Sequence, residues 1–199
     1  MQIYKIDIDY IKYLHKFDSR VQYNPNYDDN KNQNRPYIGV LLNVNGCDYF
    51  APLEHPRTSH QNLKNNLHIF KIKGGRLGII GLNNMIPVPK NALISFDINK
   101  DSNSNILISQ YIECKKHWIN IEDRANKVYQ RRTVSPNRFE KKNYCDFTLL
   151  EQKCLEYNKT HNKQLPLSAK IKAAQQVAQK QNASINKSKS KNQNKGQDR

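Results

Sequence analysis

YIGVLLNVNGCDYFAPL, residues 37–53, consists of two apolar, β-rich runs joined by Asn45-Gly46. Asn-Gly between two such runs is the strongest short-range signal of a β-hairpin, because both residues tolerate the positive φ angles of a type I′ turn. We therefore predict a two-stranded hairpin here, and we expect the neighbouring β-rich segments to extend it into a sheet.

Short β-rich runs lie on both sides of this hairpin. The predicted strands are residues 2–8, HIFKI (68–72), LGIIGL (77–82), MIPVP (85–89) and ALISFDI (92–98). Pro87 and Pro89 would each remove a donor from a strand ladder, so we place their run at a sheet edge or at the start of a strand. The connections are short and tight, and we expect five or six short strands in a small twisted barrel.

Apolar residues at helical spacing precede and follow the β-rich part. The predicted helices are YIKYLHKF (10–17), headed by Asp9, then residues 106–132, and DFTLLEQKCLEYNKTH (146–161), opened by Asp146 or Thr148. Residues 22–36 consist almost wholly of turn formers and polar amides, which predicts a long loop that is functional or mobile.

These elements predict an α+β fold, a compact SH3-like β-barrel with an N-terminal helix and C-terminal helices. We expect one domain over residues 1–165. Residues 166–199 are rich in Lys, Asn and Gln and have few apolar anchors. We predict a weak helix over residues 167–181 and a disordered basic tail beyond it.

The distribution of charge indicates a polyanionic partner. The chain of 199 residues has 33 Lys and Arg against 17 Asp and Glu, a net charge of +16. Eight Lys or Arg and one Asp give residues 166–199 a charge of +7, which leaves +9 on residues 1–165. A body that is itself this basic indicates a fold whose working surface faces phosphates.

Several classes of protein are excluded by composition. No run approaches the ~18 apolar residues of a membrane-spanning helix, and the N-terminal MQIYKIDIDY has acids among its apolar residues, unlike a signal peptide. The four cysteines contain no CxxC pair, so a zinc site is not indicated and we expect reduced thiols. We therefore predict a cytoplasmic protein without a metal or cofactor.

The densest cluster of reactive groups is Glu54-His55-Pro56-Arg57-Thr58-Ser59-His60, directly after the second hairpin strand. Cleavage of RNA without a metal requires a base for the 2′-OH, a cation for the phosphate and an acid for the leaving oxygen. Imidazole transfers protons near neutral pH, and arginine binds phosphate oxygens through its fork. The competing interpretation is a polar turn with solvent-exposed side chains.

Two further groups of residues are candidates for contact with RNA. Arg35 ends the polar loop just before the hairpin, and Tyr27 and Lys31 precede it in the same loop. The predicted helix 106–132 and the segment after it supply the other candidates, Lys115, Lys116, Lys127, Arg131, Arg132, Lys141 and Lys142. On a continuous helix, Lys116, Lys127 and Arg131 can share a side opposite Ile112, Trp118 and Val128. An ordinary solvated face is the alternative.

Four segments resemble the ToxN/AbiQ family in the same order over residues 1–157. They are Y-x-I-D-x-x-YIKYL-x-x-FD near the N-terminus, RPYIGVLLNVNGCDYFAPLEHPR, HIFKI with LGIIGLNNMIPV, and CDFTLLEQK. The family consists of the endoribonuclease toxins of type III toxin–antitoxin and phage-abortive systems. Residues after about 166 lie outside the resemblance.

The resemblance implies an elongated SH3-like barrel related to the MazF/Kid toxins. It implies metal-independent cleavage of cellular or phage mRNA that leaves a 2′,3′-cyclic phosphate. It also implies inhibition by a repeated small pseudoknot RNA, which the toxin itself processes and with which it forms a protein–RNA hetero-oligomer.

Within this resemblance, the candidate site departs from the family pattern. A Thr-Ser-Pro-Lys-type segment of the family corresponds to Glu54-His55-Pro56-Arg57 here, so Arg57 replaces a lysine and the hydroxyl pair is lost. Thr58 and Ser59 could supply the hydroxyls, or His55 could transfer the proton. His60 falls where family members can have a histidine.

Arg35 matches a basic position of the family, which has an aromatic residue about four positions earlier. Lys31 has that spacing here, and Tyr27 would reach the site if the loop carries an insertion. A tyrosine there would stack on a base or aid proton transfer.

A noncatalytic RNA-binding protein, such as a ribosome-associated or RNA-chaperone domain with a basic tail, is the alternative function. Both functions explain the charge of the chain. Only an endoribonuclease explains the cluster of residues 54–60 together with the ordered resemblance.

Overall fold

The computed structural model describes residues 1–23 and 35–163. The chain divides into two units, Met1–Asn158 and Lys159–Arg199, and the sheet lies in the first. In the described part, the strands are β1 (Gln2–Ile6), β2 (Tyr37–Val44), β3 (Cys47–Glu54), β4 (Ile69–Lys71), β5 (Ile79–Gly81), β6 (Ile86–Val88) and β7 (Leu93–Ile94). The helices are α1 (Ile8–His15), α2 (Thr58–Asn62), α3 (Ser104–Lys116), α4 (Trp118–Thr133), α5 (Arg138–Asn143) and α6 (Phe147–Lys163).

The strands form one antiparallel sheet in the order β4-β5-β3-β2-β1-β7, and β6 pairs with β3 beside this path. The predicted α+β class is therefore confirmed. The described residues contain seven strands where five or six were predicted, and four of them are only two or three residues long. β7, for example, is reduced from the predicted 92–98 to two residues that pair with β1.

The predicted hairpin forms the centre of the sheet. Asn45 and Gly46 have φ angles of 51° and 76°, as a type I′ turn requires. β3 pairs with β2 along one edge and divides its other edge between β6 and β5. Among the described strands β6 pairs only with β3, so Pro87 lies in an edge strand, as predicted.

The core lies between this sheet and the helices. Buried side chains from β1, β2 and β3 pack with one side of α1, α4 and α6, including Ile121, Ala125 and Val128 at the predicted spacing. Tyr10 is fully buried and its hydroxyl donates to the Pro87 carbonyl at 2.6 Å. Tyr13 and Trp118 are partly buried against the same core.

A buried carboxylate joins α6 to the hairpin. Glu151 accepts hydrogen bonds from the hydroxyls of Tyr49 and Tyr129 at 2.8 and 2.7 Å, and from the Asn45 side chain at 3.0 Å. A buried charge is tolerated when its lone pairs are occupied in this way. The contact fixes the hairpin turn against the last helix.

Two helix predictions were wrong in detail. Residues 106–132 form two helices, because His117 has non-helical backbone angles (φ −108°, ψ 15°) that end α3 and precede α4. The inward side of α3 consists of Leu107, Gln110 and Cys114, which leaves Ile112 half exposed. α1 begins two residues earlier than predicted, with Asp7 in place of Asp9 as its N-cap.

α5 was not predicted, although Asn137 and Glu140 form a capping box that its sequence contains. Asp146 caps α6, because its carboxylate accepts from the Leu149 N–H at 3.3 Å. No described helix combines the length and apolar character needed to cross a membrane.

Candidate active site

The candidate cluster begins where β3 ends. Glu54 is the last residue of β3, and α2 begins at Thr58, after Arg57 in extended conformation (φ −138°, ψ 146°). This break in direction leaves His55, Arg57, Thr58 and Ser59 exposed to solvent. His60 differs from them because the first turn of α2 carries it inward, where it is only 4% exposed.

The register of the hairpin brings Arg35 to the cluster. The Leu53 N–H donates to the Pro36 carbonyl at 2.9 Å, which continues the β2–β3 ladder to the residue before Tyr37. Arg35 therefore lies across from Glu54, and one guanidinium nitrogen is 3.6 Å from the Glu54 Oε1. The structure therefore brings together two candidate segments that are separate in the sequence.

The Glu54 carboxylate is the centre of the cluster. Its Oε2 lies 3.7 Å from the His60 Nε2, and the Gln22 side-chain amide approaches its Oε1 at 3.5 Å. Its backbone carbonyl accepts from the Gln110 side chain of α3 at 3.1 Å. Gln22 and Gln110 were not predicted as site residues. Both are far from Glu54 in the sequence, so no local pattern indicates that they contact it.

Two glycines of the β4–β5 turn pack against the backbone of the cluster. Gly78 has a φ of +96°, and a Cβ there would lie 2.1 Å from the Glu54 carbonyl oxygen. Gly75 has a φ of +93°, and a Cβ there would lie 2.6 Å from the His60 carbonyl oxygen. Only glycine allows both the positive φ and this close approach.

Burial lowers the pKa of His60, and the nearby positive charge of Arg57 acts in the same direction, while Glu54 opposes them. The imidazole is therefore neutral at pH 7. Its Nδ1 is buried and has no hydrogen-bond partner among the described residues. These properties separate His60 from the exposed members of the cluster.

The predicted basic residues lie on three helices. Lys115 and Lys116 end α3, whereas Lys127, Arg131 and Arg132 belong to α4. The continuous helix on which Lys116, Lys127 and Arg131 were expected to share a side is interrupted at His117, so of these three Lys127 and Arg131 belong to one helix and Lys116 to another. Lys141 and Lys142 are exposed on α5, and Tyr27 and Lys31 lie outside the described residues.

Several of these cations are paired with acids. Lys116 contacts Glu113 at 3.2 Å, Lys127 contacts Asp123 at 2.7 Å and Arg131 contacts Glu140 at 3.7 Å. Arg132 is mostly buried and contacts Asp146 at 2.7 Å. The Arg132 guanidinium therefore joins α4 to α6 and presents little surface to a ligand.

Within the described residues, no group of three or more His, Cys, Asp or Glu side chains is arranged to hold a metal ion. The chemistry that the cluster offers consists of cations beside exposed imidazole and hydroxyl groups. Such a set can bind a phosphate and transfer a proton beside it.

Residues 2–155 match the protein family described as "Toxin ToxN, type III toxin-antitoxin system". The chain is 32% identical over 166 residues to the endoribonuclease ToxN of Bacillus thuringiensis subsp. kurstaki, covering 78% of this chain and 84% of that protein. It is 30% identical to the endoribonuclease AbiQ of Lactococcus lactis subsp. lactis, covering 80% of this chain and 90% of that one.

Solved structures show the same similarity. One comes from work on selective toxin inhibition by a non-coding RNA pseudoknot in type III toxin–antitoxin systems. It has a TM-score of 0.64 and 34% identity over 78% of this chain and 96% of its own. The structure of AbiQ, a lactococcal anti-phage endoribonuclease, has a TM-score of 0.65 and 28% identity over 79% and 98% of the two chains. With a family match over most of its length, the chain belongs to the ToxN family of toxins from type III toxin–antitoxin systems.

Proposed function

We propose that the chain is an endoribonuclease toxin that cleaves RNA at the end of β3 and is inhibited by an RNA antitoxin. The observation that carries this proposal is the contact between Arg35 and the cluster of residues 54–60. This contact places the Arg35 guanidinium beside a short segment whose exposed side chains include the Arg57 guanidinium, the His55 imidazole and two hydroxyls. The family and its endoribonuclease relatives favour this function over a noncatalytic RNA-binding protein.

In the proposed reaction, His55 removes the proton from a ribose 2′-OH. The 2′-oxygen attacks the adjacent phosphorus, the bond to the 5′-oxygen breaks, and the 5′-oxygen takes a proton from the solvent as it leaves. The products are a 2′,3′-cyclic phosphate and a 5′-OH. Arg35 and Arg57 stabilise the negative charge that builds up on the phosphate oxygens in the transition state.

In this reaction, Thr58 and Ser59 donate hydrogen bonds to the phosphate oxygens or to the ribose. Their hydroxyls are exposed beside Arg57. A neutral hydroxyl donates and accepts hydrogen bonds but is a poor base near pH 7, so we assign proton transfer to His55. As part of this proposal, Tyr27 keeps its predicted role of stacking on a base or aiding proton transfer, and Lys31 keeps its predicted role in RNA binding.

We further propose that the partner is a repeated small pseudoknot RNA, processed by the toxin and assembled with it in a protein–RNA hetero-oligomer. The relatives include one inhibited by an RNA pseudoknot and an anti-phage endoribonuclease. The charge of +9 on residues 1–165 suits an RNA partner. Lys115, Lys116, Lys127, Arg131, Lys141 and Lys142 remain the proposed RNA-binding residues, with Arg132 supporting them from its ion pair.

The finer points of the architecture are part of the same proposal. We place the sheet among SH3-like barrels of the MazF/Kid kind, because β3 divides one edge between two strands, as a coiling sheet does. We assign residues 1–165 to the toxin domain and residues 166–199 to a basic tail. The site of action is the cytoplasm, where messenger RNA is available.

Incubation of the purified protein with total RNA in excess EDTA, followed by mapping of the new ends, tests the proposed function. We expect cleavage with 2′,3′-cyclic phosphate ends. Arg57→Ala should lower the rate about 10²-fold, the cost of removing one donor to a transition-state oxyanion, and should relieve growth arrest in bacteria. Lys90→Ala, an exposed cation outside the cluster, is the control.

Two results would contradict the proposal. RNA binding without any cleavage would identify a noncatalytic RNA-binding protein. A strict requirement for magnesium or manganese would show that cleavage does not proceed by a metal-independent attack of the 2′-OH.

A further inference from the structure

Glu54 has an arrangement that the proposed reaction does not use. Its side chain is 17% exposed, and both carboxylate oxygens face other side chains of the cluster. Arg35 and Gln22 approach Oε1 at 3.6 and 3.5 Å, while His60 approaches Oε2 at 3.7 Å. The carboxylate is therefore occupied by protein groups on both oxygens.

The carboxylate is also rigidly mounted. Glu54 pairs with Ile79 of β5, and its carbonyl accepts from Gln110, whose amide also donates to the Leu77 carbonyl at 2.7 Å. Gly78 fills the remaining space beside that carbonyl. A backbone held from three sides fixes the direction in which the side chain leaves β3.

The charges around this carboxylate are unequal. Arg35 is positively charged, His60 is neutral at pH 7, and Arg57 contributes a second positive charge close to His60. A guanidinium has five N–H donors in a planar fork. An Arg35 held by Glu54 through one nitrogen keeps its other donors available, and its side chain is about one-third exposed.

We propose that Glu54 is a positioning residue that orients the Arg35 guanidinium toward the scissile phosphate and does not itself touch the RNA. This inference rests on the proposed function. Without the carboxylate, the Arg35 side chain would sample many rotamers and would meet the phosphate in the reactive geometry less often.

A double-mutant cycle with Arg35→Ala and Glu54→Gln tests the inference. We expect E54Q to lower kcat about 10- to 100-fold when Arg35 is present, with KM changed less than threefold. In the R35A background, the same substitution should change kcat less than threefold, because nothing is left for Glu54 to orient. The acidic limb of the pH–rate profile should persist in E54Q.

Asp48→Asn is the matched control, because Asp48 lies on the same strand and bonds only Asn43 among the interactions described for its side chain. It should leave kcat unchanged. If E54Q does not fold, Glu54→Asp replaces it in the cycle. The shorter side chain keeps the charge but retracts from Arg35, so it should lower kcat in the Arg35 background only.

Three outcomes would overturn the inference. An equal loss in both backgrounds would show that Glu54 acts independently of Arg35. Loss of the acidic limb from the residual activity of E54Q would make Glu54 the group that transfers the proton. A kcat equal to that of the control would leave the carboxylate without a role. Absence of cleavage by the wild-type protein would contradict the proposed function instead.

Discussion

At the scale of single residues, the cluster after β3 divides into exposed and buried members. His55, Arg57, Thr58 and Ser59 are exposed to solvent, whereas His60 is buried and burial lowers the pKa of its imidazole. Proton transfer in the proposed reaction requires an exposed side chain that can both accept and donate a proton. Of the exposed members, His55 carries the imidazole that we propose for this role.

His55→Ala should therefore lower the rate of RNA cleavage about 10²- to 10⁴-fold, the range typical of a lost general acid–base group. Thr58→Val and Ser59→Ala should each cost less, because they remove only a hydrogen bond. Single-turnover cleavage of a defined RNA between pH 6 and 8 measures all three. A loss in Ser59→Ala as large as that in His55→Ala would return the decisive role to a hydroxyl.

At the scale of elements, the turn from β4 to β5 determines the shape of the site. Lys73, Gly74, Gly75 and Gly78 all have positive φ angles between 49° and 96°. Glycine adopts positive φ angles without steric cost, so three of these four positions suit the backbone of this turn. Its packing against the Glu54 and His60 carbonyls makes the loop between β3 and α2 dependent on it.

Gly78→Ala and Gly74→Ala form a matched pair that tests this dependence. Both substitutions place a Cβ at positive φ, which costs about 1–2 kcal/mol. Only the Cβ at position 78 would meet the Glu54 carbonyl, whereas position 74 has open space around it. We expect G78A to unfold at lower urea concentration than G74A and to cleave RNA more slowly.

Equal stability and equal activity of the two variants would show that the contact between Gly78 and Glu54 does not shape the site. Circular dichroism at 4 and 25 °C would confirm that both variants retain their secondary structure before the rates are compared.

At the scale of the whole molecule, charge is the dominant feature of the sequence, but much of it on the helices is paired. Lys116, Lys127 and Arg131 contact acids, and Arg132 is mostly buried against Asp146. Surface pairs of this kind contribute little to stability, and they leave the cations accessible to a stronger anion such as phosphate. The mostly buried pair of Arg132 and Asp146 does not leave its cation accessible in this way.

We expect the body of the protein to dominate antitoxin binding. Alanine substitution of Lys115, Lys116, Lys141 and Lys142 together should weaken the complex more than deletion of residues 168–199. Residues held on helices meet phosphates without losing further conformational entropy. Every phosphate that is no longer neutralised should reduce the slope of log affinity against log salt by about 0.7–0.9.

The measurement is antitoxin affinity over a series of salt concentrations, with circular dichroism as the folding control. Loss of specific binding in the truncated protein, with normal binding in the lysine variant, would make the tail the recognition element.

Stability should fall when the solution is acidified. Burial lowers the pKa of His60 and of His68, with the charge of Arg124 adding to the effect at His68, below the ordinary value of 6.5. The unfolded chain therefore takes up protons before the folded one, and the free energy of unfolding decreases as the pH falls below 6.5. Above pH 6.5 the stabilisation that comes from the two histidines is fully present.

A second loss should occur in stronger acid. Burial raises the pKa of Asp18, but hydrogen bonds from Arg20 and from the Asp146 N–H lower it by more. The pKa of Asp18 therefore lies below its usual value of 3.8. Urea unfolding at pH 7.5, 6.0 and 5.0 measures the first phase, and His68→Gln should make it shallower. An unchanged pH dependence in that variant would contradict the role of His68.

The sequence by itself determined the features that depend on neighbouring residues. The Asn45-Gly46 turn, the edge placement of Pro87 and the cap at Asp146 follow from local backbone preferences. The cluster of residues 54–60 was visible because its members adjoin in sequence. α5 is equally local, since the Asn137–Glu140 capping box that begins it is a signal within four residues, although the helix was not predicted.

Only the tertiary structure decided how the cluster is used. The contact of Arg35 with Glu54 depends on the register of the β2–β3 ladder, and the roles of Gln22 and Gln110 depend on packing between distant segments. The inward position of His60 depends on the packing of α2 against the rest of the protein. Periodicity encodes which face of an element is apolar, but it contains no information on which distant side chains meet when those faces are buried together.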